Sequence, residues 1–339
     1  MISLIDSLRK AIDEIDEEIL NLLSKRKDFV KEIAKLKESL DLPVFDKKRE
    51  QEIIGNLSKK AKQFGLDADS VYKIFGSIFQ ISRNEQQKNM KIRCDAKKLG
   101  LIGFGRFGKL IVRHLSDDFE FHVYNRTDKS REIRQNKAIP ASLEEACQND
   151  IVMLAVPISE MENALKSTKN LLKNNSIVID VCSVKGHPVK LMKKILPKGV
   201  QILGTHPMFG PDTASESLEG RKIVLCNTRI KDKAYSQIKR FLESKKLNII
   251  ETTPGRHDKE IARSLVLTHF IGRALIDMKA SSLQIDTKGY RDLIRILDTV
   301  KNDTWQLFED MNRYNKYTKK IRTDFIKSVA KVDNKLESK

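Results

Sequence analysis

The sequence reads SLIDSLRKAIDEIDEEILNLLSKRKDFVKEIAKLKESL from Ser3 to Leu40, with no glycine or proline in this stretch. Its apolar side chains recur at spacings of three and four residues, which predicts one long helix with a coiled-coil-like apolar seam. One seam position holds Arg26, and a guanidinium removed from water there requires anionic partners that the neighbouring seam residues do not provide. Arg26 is therefore either a polar residue that sets the register of a helix crossing or part of an anion site.

Two further cations indicate how such an anion site would be built. Lys37 lies about 20° around the helix from Arg26 and about 16 Å along it, so both side chains can lean towards one small anion. Arg9 lies about 25 Å before Arg26 and on another face of the helix. A functional Arg9 would therefore serve a site on a second subunit.

The rest of the first ninety residues predicts a small helical domain. Pro43 ends the long helix and Gly65 ends a second one, and a third follows from about Asp67 to Gln87. Polar residues share one face of each later helix, namely Asp46, Arg49 and Glu50 on the second and Ser82 and Gln86 on the third. A first helix of about 55 Å cannot be buried by two shorter ones, so we predict that two copies of the chain pair.

A dinucleotide-binding motif follows the polar, charged residues 88–98. A predicted strand covers residues 99–104, a glycine-rich turn comes next, a predicted helix runs to residue 115, and a second strand covers residues 119–124. The glycines permit a tight turn, close approach of the backbone to a pyrophosphate and close packing of helix on strand. The turn that would hold the cofactor consists of Gly103, Phe104, Gly105, Arg106, Phe107 and Gly108.

The residues after the second strand favour NADP over NAD as the cofactor. An NAD site usually has an acidic residue there for the ribose hydroxyls, whereas this chain has Asn125, Arg126 and Thr127. Arg126 can pair with a 2′-phosphate and stack on adenine, and its two neighbours can donate hydrogen bonds. The alternative is that Arg126 is a solvated turn residue in an NAD enzyme.

Further predicted strands alternate with helical stretches, as in a doubly wound fold, at residues 151–156, 176–181, 200–203 and 222–225. Ligands of such folds bind at the carboxyl ends of the strands. Val156 and Pro157 lie at one of these ends and are candidate cofactor contacts. Residues 182–186 and 204–212 lie at two others, and His206 is flanked there by proline and glycine, which favours a functional histidine over a structural one. Beyond Gly255 the pattern predicts helices at residues 261–279, 290–300 and 303–325.

The composition limits the possible classes of function. The chain carries 64 Lys and Arg against 46 Asp and Glu, a net charge of +18, but no basic run is interleaved with stacking aromatics. Anionic metabolites and phosphate cofactors are therefore favoured over nucleic acid. The four widely spaced cysteines and the lack of a histidine cluster predict no metal site. Because no apolar run approaches about 18 residues, we expect a cytoplasmic protein without a membrane span.

Eight polar residues match, in order and spacing, the active-site pattern of the all-helical chorismate mutases: Arg9, Arg26, Lys37, Asp46, Arg49, Glu50, Ser82 and Gln86. The first ninety residues therefore resemble this family, whose dimers exchange their long first helices. The resemblance implies a Claisen rearrangement of chorismate to prephenate, which involves no nucleophile and no proton transfer. Catalysis then consists of holding a dicarboxylate in its folded conformer and stabilising charge on the breaking ether bond.

The same resemblance implies which residues bind the substrate carboxylates. Arg26 and the partner subunit's Arg9 would bind them directly. Arg49 would support these two arginines, and Ser82 would help to position one carboxylate. The site would then be complete only in a homodimer.

Other residues of the pattern would act on the ether oxygen and the ring hydroxyl. Lys37 and Gln86 would donate to the ether oxygen, where each donor can contribute about 3 kcal/mol to the transition state. Glu50 and the backbone near Asp46 would hold the ring hydroxyl. Because Gln86 is neutral, mutase activity should depend little on pH near neutrality.

The segments S-V-K, at Ser183 to Lys185, and H-P-M-F-G-P, from His206, resemble those that flank the nicotinamide in the prephenate dehydrogenases. The resemblance covers residues 99–251 well and the remaining tail loosely. It implies hydride transfer from prephenate C4 to the nicotinamide as carbon dioxide leaves and the ring becomes aromatic. The whole chain thus resembles the bifunctional chorismate mutase and prephenate dehydrogenase enzymes of tyrosine biosynthesis.

The dehydrogenase resemblance also implies roles for single residues. His206 would accept the hydrogen bond of the 4-hydroxyl and must be neutral, so turnover should fall as the pH drops through about 6 to 7. Ser183 would bridge cofactor and hydroxyl, with Lys185 as electrostatic support. Arg295 matches an arginine that holds a prephenate carboxylate. His269 is either a substrate contact or a hydrogen-bonded interior histidine.

The predicted protein is multidomain. Residues 1–90 form an all-α three-helix chorismate-mutase-like domain, 91–98 a linker, 99–255 an α/β Rossmann-type domain that binds NAD(P), and 256–339 an all-α domain for substrate binding and dimerisation. The homodimer, with an exchanged first helix, would act on chorismate and prephenate. One alternative is another NADP-dependent hydroxyacid-type dehydrogenase with an unrelated helical dimerisation module. A second is a basic dimeric binding protein with a vestigial Rossmann domain, which would retain nucleic acid in a salt-sensitive way.

Overall fold

The computed structural model describes residues 2–40, 42, 46–89 and 96–338. It divides the chain into two compact units, Met1–Arg93 with Ile238–Lys246 and Cys94–Gln237 with Leu247–Lys339. Pro43 and most of the predicted linker, residues 91–95, lie outside the described residues. Within the described ranges, no helix is long and apolar enough to cross a membrane.

The N-terminal part of the first unit consists of the predicted helices, α1 (Ile2–Ser39), α2 (Lys47–Ala61) and α3 (Ala68–Asn89). The Asp46 carboxylate accepts a hydrogen bond of 2.9 Å from the backbone N–H of Arg49, so Asp46 caps α2 and does not lie within it. Gly65 has φ +65°, in the left-handed region, and turns the chain after a short 3₁₀ segment. The prediction of three helices is confirmed, and so is the end of the second one near Gly65.

Most of the apolar seam of α1 is exposed in the single chain. This helix packs along α3 and buries Val30 and Ala34, whereas Phe29 and Leu36 are 73% and 62% exposed. The exposed apolar side chains of the stretch are Leu4, Ile5, Leu8, Ile12, Ile15, Ile19, Leu20, Leu22, Phe29, Ile33, Leu36 and Leu40. An apolar stripe of this length exceeds what a monomeric protein usually leaves in contact with water.

The second unit is built on an eight-stranded sheet. Its strands are β1 (Lys98–Ile102), β2 (Glu120–Tyr124), β3 (Ile139–Pro140), β4 (Ile151–Leu154), β5 (Ile177–Asp180), β6 (Gln201–Pro207), β7 (Lys222–Arg229) and β8 (Asn248–Glu251). Their order is β3-β2-β1-β4-β5-β6-β7-β8, and neighbours are parallel except for the antiparallel pair β6 and β7. The predicted Rossmann-type sheet is confirmed, and the short strands β3 and β8 were not predicted.

Helices alternate with these strands and cover the faces of the sheet. They are α4 (Arg106–Leu115), α5 (Ser130–Gln135), α6 (Leu143–Cys147), α7 (Met161–Thr168) and α8 (Gly186–Ile195). A further helix, α9 (Asp232–Ser244), lies between β7 and β8 in the chain, and from Ile238 onwards it is grouped with the first unit. The central strand β4 is buried along its whole length, as expected for a parallel strand with helices on both sides. This arrangement brings the carboxyl ends of β1, β4 and β5 to one edge of the sheet, where ligands of such folds bind.

The C-terminal helices are α10 (Pro254–Arg263), α11 (Leu265–Asp277), α12 (Lys288–Val300), α13 (Trp305–Arg313) and α14 (Thr318–Glu337). Two predicted helical stretches are therefore interrupted. The stretch 261–279 breaks at Ser264, whose φ of −105° and ψ of −89° are not helical. The stretch 303–325 breaks near Asn315, whose side chain donates to the Asp258 carbonyl and accepts from the Tyr317 N–H. Periodicity does not detect such breaks, because the apolar spacing continues through them.

Candidate active sites

The first candidate site lies among α1, α2 and α3. The guanidinium of Arg26, from α1, donates a short hydrogen bond to Ser82 Oγ, from α3. It also lies 5.9 Å from the ring centre of Phe79. Burial lowers the pKa of Arg26, and the nearby carboxylate of Glu50 opposes that effect. The structure thus brings together three residues of the predicted pattern, Arg26, Ser82 and Glu50, around a partly desolvated cation.

Glu50 is held by an arginine that the sequence analysis missed. Both carboxylate oxygens of Glu50 accept hydrogen bonds from Arg83, at 2.8 and 2.7 Å. Arg83 also donates to Gln80 Oε1 at 2.7 Å. A signal was present in the sequence, because Arg83 precedes Gln86 by three residues and so shares its side of α3. Glu50 is therefore oriented by a neighbouring cation on α3.

Gln86 and Lys37 are the predicted donors to an ether oxygen. Gln86 is buried, and its Oε1 finds no hydrogen-bond partner within the described chain. Buried side-chain amides are nearly always hydrogen-bonded, so this atom is available to a ligand. Lys37 is partly buried, and burial lowers its pKa while the Asp46 carboxylate raises it.

A groove of about 260 Å³ adjoins the Arg26 and Ser82 pair. Its walls are mostly apolar side chains of α1 and α3, among them Leu20, Val30 and Ile78. A concave, largely apolar wall with a few polar groups at one end is typical of a small-molecule site.

Arg9 and Arg49 do not join this cluster. Arg9 lies near the start of α1, is 73% exposed and pairs with Asp6 at 3.4 Å. Arg49 lies in the first turn of α2 and pairs with Glu52 at 3.6 Å. In a single chain, the structure therefore assembles the predicted pattern without these two arginines.

The second candidate site begins at the glycine-rich turn between β1 and α4. Gly103 has φ +102°, and a Cβ there would lie 2.3 Å from the Ala155 carbonyl oxygen. A Cβ on Gly108 would lie 2.4 Å from the Gly103 carbonyl oxygen, so this glycine allows close packing of helix on strand. Gly105 has no atom within 4 Å of that position. The turn thus leaves open space at the N-terminus of α4, where a pyrophosphate fits.

The residues after β2 hold this turn in place. Asn125 Oδ1 accepts from the Phe104 N–H at 2.9 Å, and its Nδ2 donates to Thr127 Oγ1 at 3.0 Å. Lys129, which the sequence analysis did not single out, donates to the Phe104 carbonyl at 3.0 Å. Both ends of the Asn125 amide are therefore engaged with protein atoms, whereas Thr127 accepts in this contact and its hydroxyl can still donate to a ligand. Arg126 is 81% exposed, with Glu160 at 3.4 Å.

A chain of hydrogen bonds supports His206. This residue is buried on β6, and its Nδ1 lies 2.9 Å from His257 Nε2. His257 Nδ1 lies 2.8 Å from Asp258 Oδ1. The Asp258 carboxylate also accepts the backbone N–H groups of Lys185, at 2.7 Å, and Gly186, at 2.8 Å. His257 and Asp258 were not predicted, although an adjacent His-Asp pair at the start of the C-terminal helices was a visible signal.

The surroundings of His206 keep its imidazole neutral. Burial holds its pKa well below 6.5, and electrostatic interactions with His257 and Lys185 lower it further. Turnover was predicted to fall as the pH drops through about 6 to 7. Because the pKa of His206 is lowered, this fall is now expected at a lower pH. The structure supplies the reason, which is desolvation of a fully enclosed ring.

Lys185 and Ser183 occupy the segment between β5 and α8. Lys185 is fully buried, forms an ion pair with Asp180 and donates to the Thr205 carbonyl. It therefore joins the ends of β5 and β6 from within the protein, directly before His206. Ser183 Oγ is buried and has no hydrogen-bond partner within the described ranges, so it is free to contact a ligand.

The glycine-rich turn and the His206 loop are tied together by Arg106. Its guanidinium donates to both carboxylate oxygens of Asp212, at 2.8 and 2.9 Å, and to the Asn302 carbonyl at 2.6 Å. The rings of Phe107 and Phe209 lie 6.4 Å apart in the same region. Cofactor turn, histidine loop and C-terminal helices therefore meet at one place in the second unit.

The two candidate residues of the C-terminal helices have different environments. Arg295, on α12, is 76% exposed and pairs with Asp292 at 2.9 Å. His269, on α11, is buried, and its Nε2 lies 3.7 Å from Asp303. Burial, with a contribution from Arg273, lowers the pKa of His269 to about 4. His269 Nδ1 has no hydrogen-bond partner among the described residues.

Comparisons with known proteins match the regions of the chain that contain the two candidate sites. Residues 8–87 match the family model "Chorismate mutase type II", residues 123–251 match "Prephenate dehydrogenase, nucleotide-binding domain", and residues 274–339 match "TYRAAT1-like, C-terminal domain". Arogenate dehydrogenase 2 of Arabidopsis thaliana is 32% identical over 243 residues, which cover 68% of this chain and 67% of the relative. The T-protein of Haemophilus influenzae is 28% identical over 78% of this chain and 67% of its own.

A solved structure shows the same fold as the second unit. The prephenate dehydrogenase of A. aeolicus, in complex with hydroxyphenyl propionate and NAD+, superposes with a TM-score of 0.57 at 22% identity. The match covers 72% of this chain and 92% of that one.

Proposed function

The chain belongs to the family that joins a type II chorismate mutase to a prephenate dehydrogenase, and we propose that its two units carry the two active sites. A member of this family is a bifunctional enzyme of tyrosine biosynthesis. It rearranges chorismate to prephenate and then oxidatively decarboxylates prephenate to 4-hydroxyphenylpyruvate with a nicotinamide cofactor. The observation that carries the assignment of sites is the pairing of Arg26 with Ser82 in one unit and of His206 with His257 in the other.

In the mutase site, Arg26 binds a substrate carboxylate and Ser82 fixes its guanidinium. Lys37 donates to the ether oxygen through Nζ, and the buried Gln86 donates to it through its amide Nε2. Glu50 holds the ring hydroxyl, oriented by Arg83. The rearrangement needs no proton transfer, so positioning and electrostatic stabilisation account for the rate.

Two copies of the chain complete this site by exchanging their first helices. The long apolar stripe of α1 supports the pairing, because burial of each half-exposed Leu or Ile contributes about 1 kcal/mol. The position of Arg9, outside the cluster of its own chain, supports the exchange. The partner subunit's Arg9 then supplies the second carboxylate contact, with Arg49 in support.

In the dehydrogenase site, Asp258 sets the tautomer of His206 through His257. Because the Asp258 carboxylate can only accept, His257 Nδ1 carries a proton and its Nε2 accepts from His206 Nδ1. His206 Nε2 is then left as an acceptor for the substrate 4-hydroxyl. Ser183 contributes a further hydrogen bond to the substrate hydroxyl. Lys185 provides electrostatic support beside His206.

The residues of the glycine turn fit a nicotinamide dinucleotide, which supplies the hydride acceptor when bound. Open space at Gly105, beside the N-terminus of α4, suits a pyrophosphate. Val156 and Pro157, after β4, line the same edge of the sheet. NADP is favoured over NAD, because the chain has the exposed Arg126 where NAD enzymes usually have an acidic residue.

An Arg126→Ala variant should raise KM for NADP by about 30-fold and change KM for NAD by less than about threefold. The reason is that only NADP carries the 2′-phosphate that Arg126 would bind. Steady-state rates at saturating prephenate give both constants. Arg113→Ala, an exposed substitution in the last turn of α4, serves as the matched control. Equal changes for the two cofactors would count against the 2′-phosphate contact.

The whole assignment is tested by giving the purified protein chorismate as its only carbon substrate, with NADP and then with NAD. We expect reduced cofactor and 4-hydroxyphenylpyruvate, identified by chromatography. Prephenate supplied directly should give the same product without the first activity. If chorismate is consumed but no reduced cofactor forms from either substrate, the second unit belongs to another class of dehydrogenase.

A further inference from the structure

The loop that follows β4, residues 155–160, lies against the glycine-rich turn. A Cβ on Gly103 would be 2.3 Å from the carbonyl oxygen of Ala155, so the backbones of the two segments are in direct contact. At the other end of this β4 loop, the Glu160 carboxylate lies 3.4 Å from the Arg126 guanidinium. The β4 loop therefore follows the edge of the sheet at which a dinucleotide would bind.

A buried carboxylate of α13 holds the middle of the β4 loop. Asp310 Oδ2 accepts two hydrogen bonds from Ser159, one from the backbone N–H at 3.0 Å and one from the hydroxyl at 2.9 Å. Gln306, one turn earlier on α13, donates to Ser159 Oγ at 3.2 Å. The backbone N–H and the hydroxyl of one loop residue are thus both fixed by the same helix.

Apolar contacts already attach α13 to this loop. Ile158 and Met311, the chain neighbours of Ser159 and Asp310, belong to one buried apolar cluster of the second unit. A carboxylate buried beside such contacts loses its hydration, and its hydrogen bonds have to compensate for that loss. The carboxylate is therefore explained better by the loop conformation that it maintains than by a gain in stability.

The same helix is connected to the chain of hydrogen bonds behind His206. Asn315, two residues after the end of α13, is buried, and its amide donates to the Asp258 carbonyl at 2.8 Å. Asp258 in turn supports His206 through His257. Helix α13 and the residues just after it therefore contact both the cofactor side and the histidine side of the dehydrogenase site.

We propose that Asp310 is a positioning residue of the dehydrogenase, which acts through Ser159 to hold the β4 loop in the conformation that receives the nicotinamide dinucleotide. The proposal rests on the dehydrogenase function assigned above. Without Asp310, the Ser159 N–H loses its acceptor, and the loop rearranges to expose that group to water. Val156 and Pro157 then lose their fixed position beside the glycine turn. The loss falls on cofactor binding, because the histidine chain keeps its own contact with Asn315.

The test measures binding of NADP by calorimetry in the absence of substrate. Asp310→Ala should raise the dissociation constant by about tenfold, as expected for the loss of a charge-assisted hydrogen bond. NAD, titrated in a second series, should be weakened by a similar factor, because the glycine turn beside the β4 loop would serve both cofactors. The dehydrogenase kcat at saturating NADP and prephenate should change by less than about threefold.

Further variants show whether Asp310 acts through Ser159. Ser159→Ala removes the hydroxyl but keeps the backbone N–H, and it should raise the dissociation constant by about threefold. Asp310→Asn keeps an acceptor for that N–H and should lie between the wild-type protein and Asp310→Ala. The double variant Ser159→Ala, Asp310→Ala should bind NADP no more weakly than Asp310→Ala, because both substitutions remove the same contact. Glu309→Gln, at an exposed position on α13, is the matched control and should bind NADP as the wild-type protein does.

Hydrogen exchange on the cofactor-free protein reports the loop directly. In Asp310→Ala, peptides that cover residues 155–160 should exchange at least about tenfold faster than in the wild-type protein, while peptides that cover β5 should not change. A purely structural role would instead lower the thermal midpoint and speed exchange throughout the second unit. If Asp310→Ala does not fold, Ser159→Ala and Asp310→Asn decide by the same measurements.

An unchanged dissociation constant in the folded Asp310→Ala protein would overturn the inference. Effects that multiply in the double variant would overturn it as well, because Asp310 would then act by a route other than Ser159. The proposed function is judged separately, because it fails only if the wild-type protein does not oxidise prephenate, whereas cofactor binding is measured here without substrate.

Discussion

Arg26→Ala should lower the chorismate mutase kcat/KM by about 10³-fold, while the dehydrogenase activity of the same molecules changes by less than about twofold. The guanidinium of Arg26 is partly desolvated and fixed by Ser82, so it is prepared to bind a carboxylate of a dianion. Its removal leaves that carboxylate without a cation in the transition state. The measurement is the loss of chorismate absorbance without cofactor, followed by prephenate oxidation with cofactor.

A matched control separates this effect from a general loss of charge on α1. Lys35→Ala removes an exposed cation that pairs with Glu32 on the same helix. It should leave both activities unchanged. If Arg26→Ala retains more than about a tenth of the mutase activity, Arg26 is a helix-register residue and not a substrate contact.

Mixing two inactive variants tests the exchange of first helices. Arg9→Ala and Arg26→Ala homodimers should each be defective, because every site lacks one arginine. In a mixed dimer, one of the two sites has both arginines and the other has neither. After subunit exchange, equal amounts of the variants should recover about a quarter of the wild-type activity. Full activity of Arg9→Ala alone, or a monomeric protein with full mutase activity, would contradict the arrangement.

His206→Asn should lower the dehydrogenase kcat by about 10³-fold and leave the mutase activity intact. Asparagine is similar in size and retains a hydrogen-bond acceptor, but it cannot take up the hydroxyl proton as the carbonyl forms. The decisive measurement is the rate of cofactor reduction at saturating prephenate. His122→Asn, at a partly exposed position on β2, serves as the matched control. Full turnover in His206→Asn would remove this residue from the mechanism.

The pH dependence of the wild-type enzyme follows from the same histidine. His206 works in its neutral form, and its pKa lies well below 6.5 because the ring is buried beside His257 and Lys185. The dehydrogenase kcat should therefore stay constant as the pH falls from about 8 to about 6.5, and decrease only at lower pH. Below about pH 6.5, unfolding allows His206 to bind a proton, so the folded protein also becomes less stable there. The rates at low pH are therefore compared with those of samples returned to neutral pH.

The chain's local patterns determined its elements and most of its architecture. Three local features led to correct predictions. The seam spacing predicted α1, the glycine turn predicted the strand–turn–helix unit at β1 and α4, and the alternation of strands and helices predicted the parallel sheet. The breaks at Ser264 and near Asn315 were missed, because apolar periodicity continues across them while side-chain hydrogen bonds end the helices. The strands β3 and β8 were also missed. They are too short for an alternation of apolar and polar residues to be recognised in the sequence.

For the sites, the sequence by itself determined which residue types are available, and the tertiary structure decided what surrounds them. The positions of Arg26, Ser82 and His206 could be inferred from spacing and from motifs. The link from His206 to His257 spans 51 residues, and the link from Asp310 to the β4 loop spans 151. Burial, counter-charge and tautomer arise from groups that are distant in sequence, and only the folded chain brings those groups within hydrogen-bonding distance.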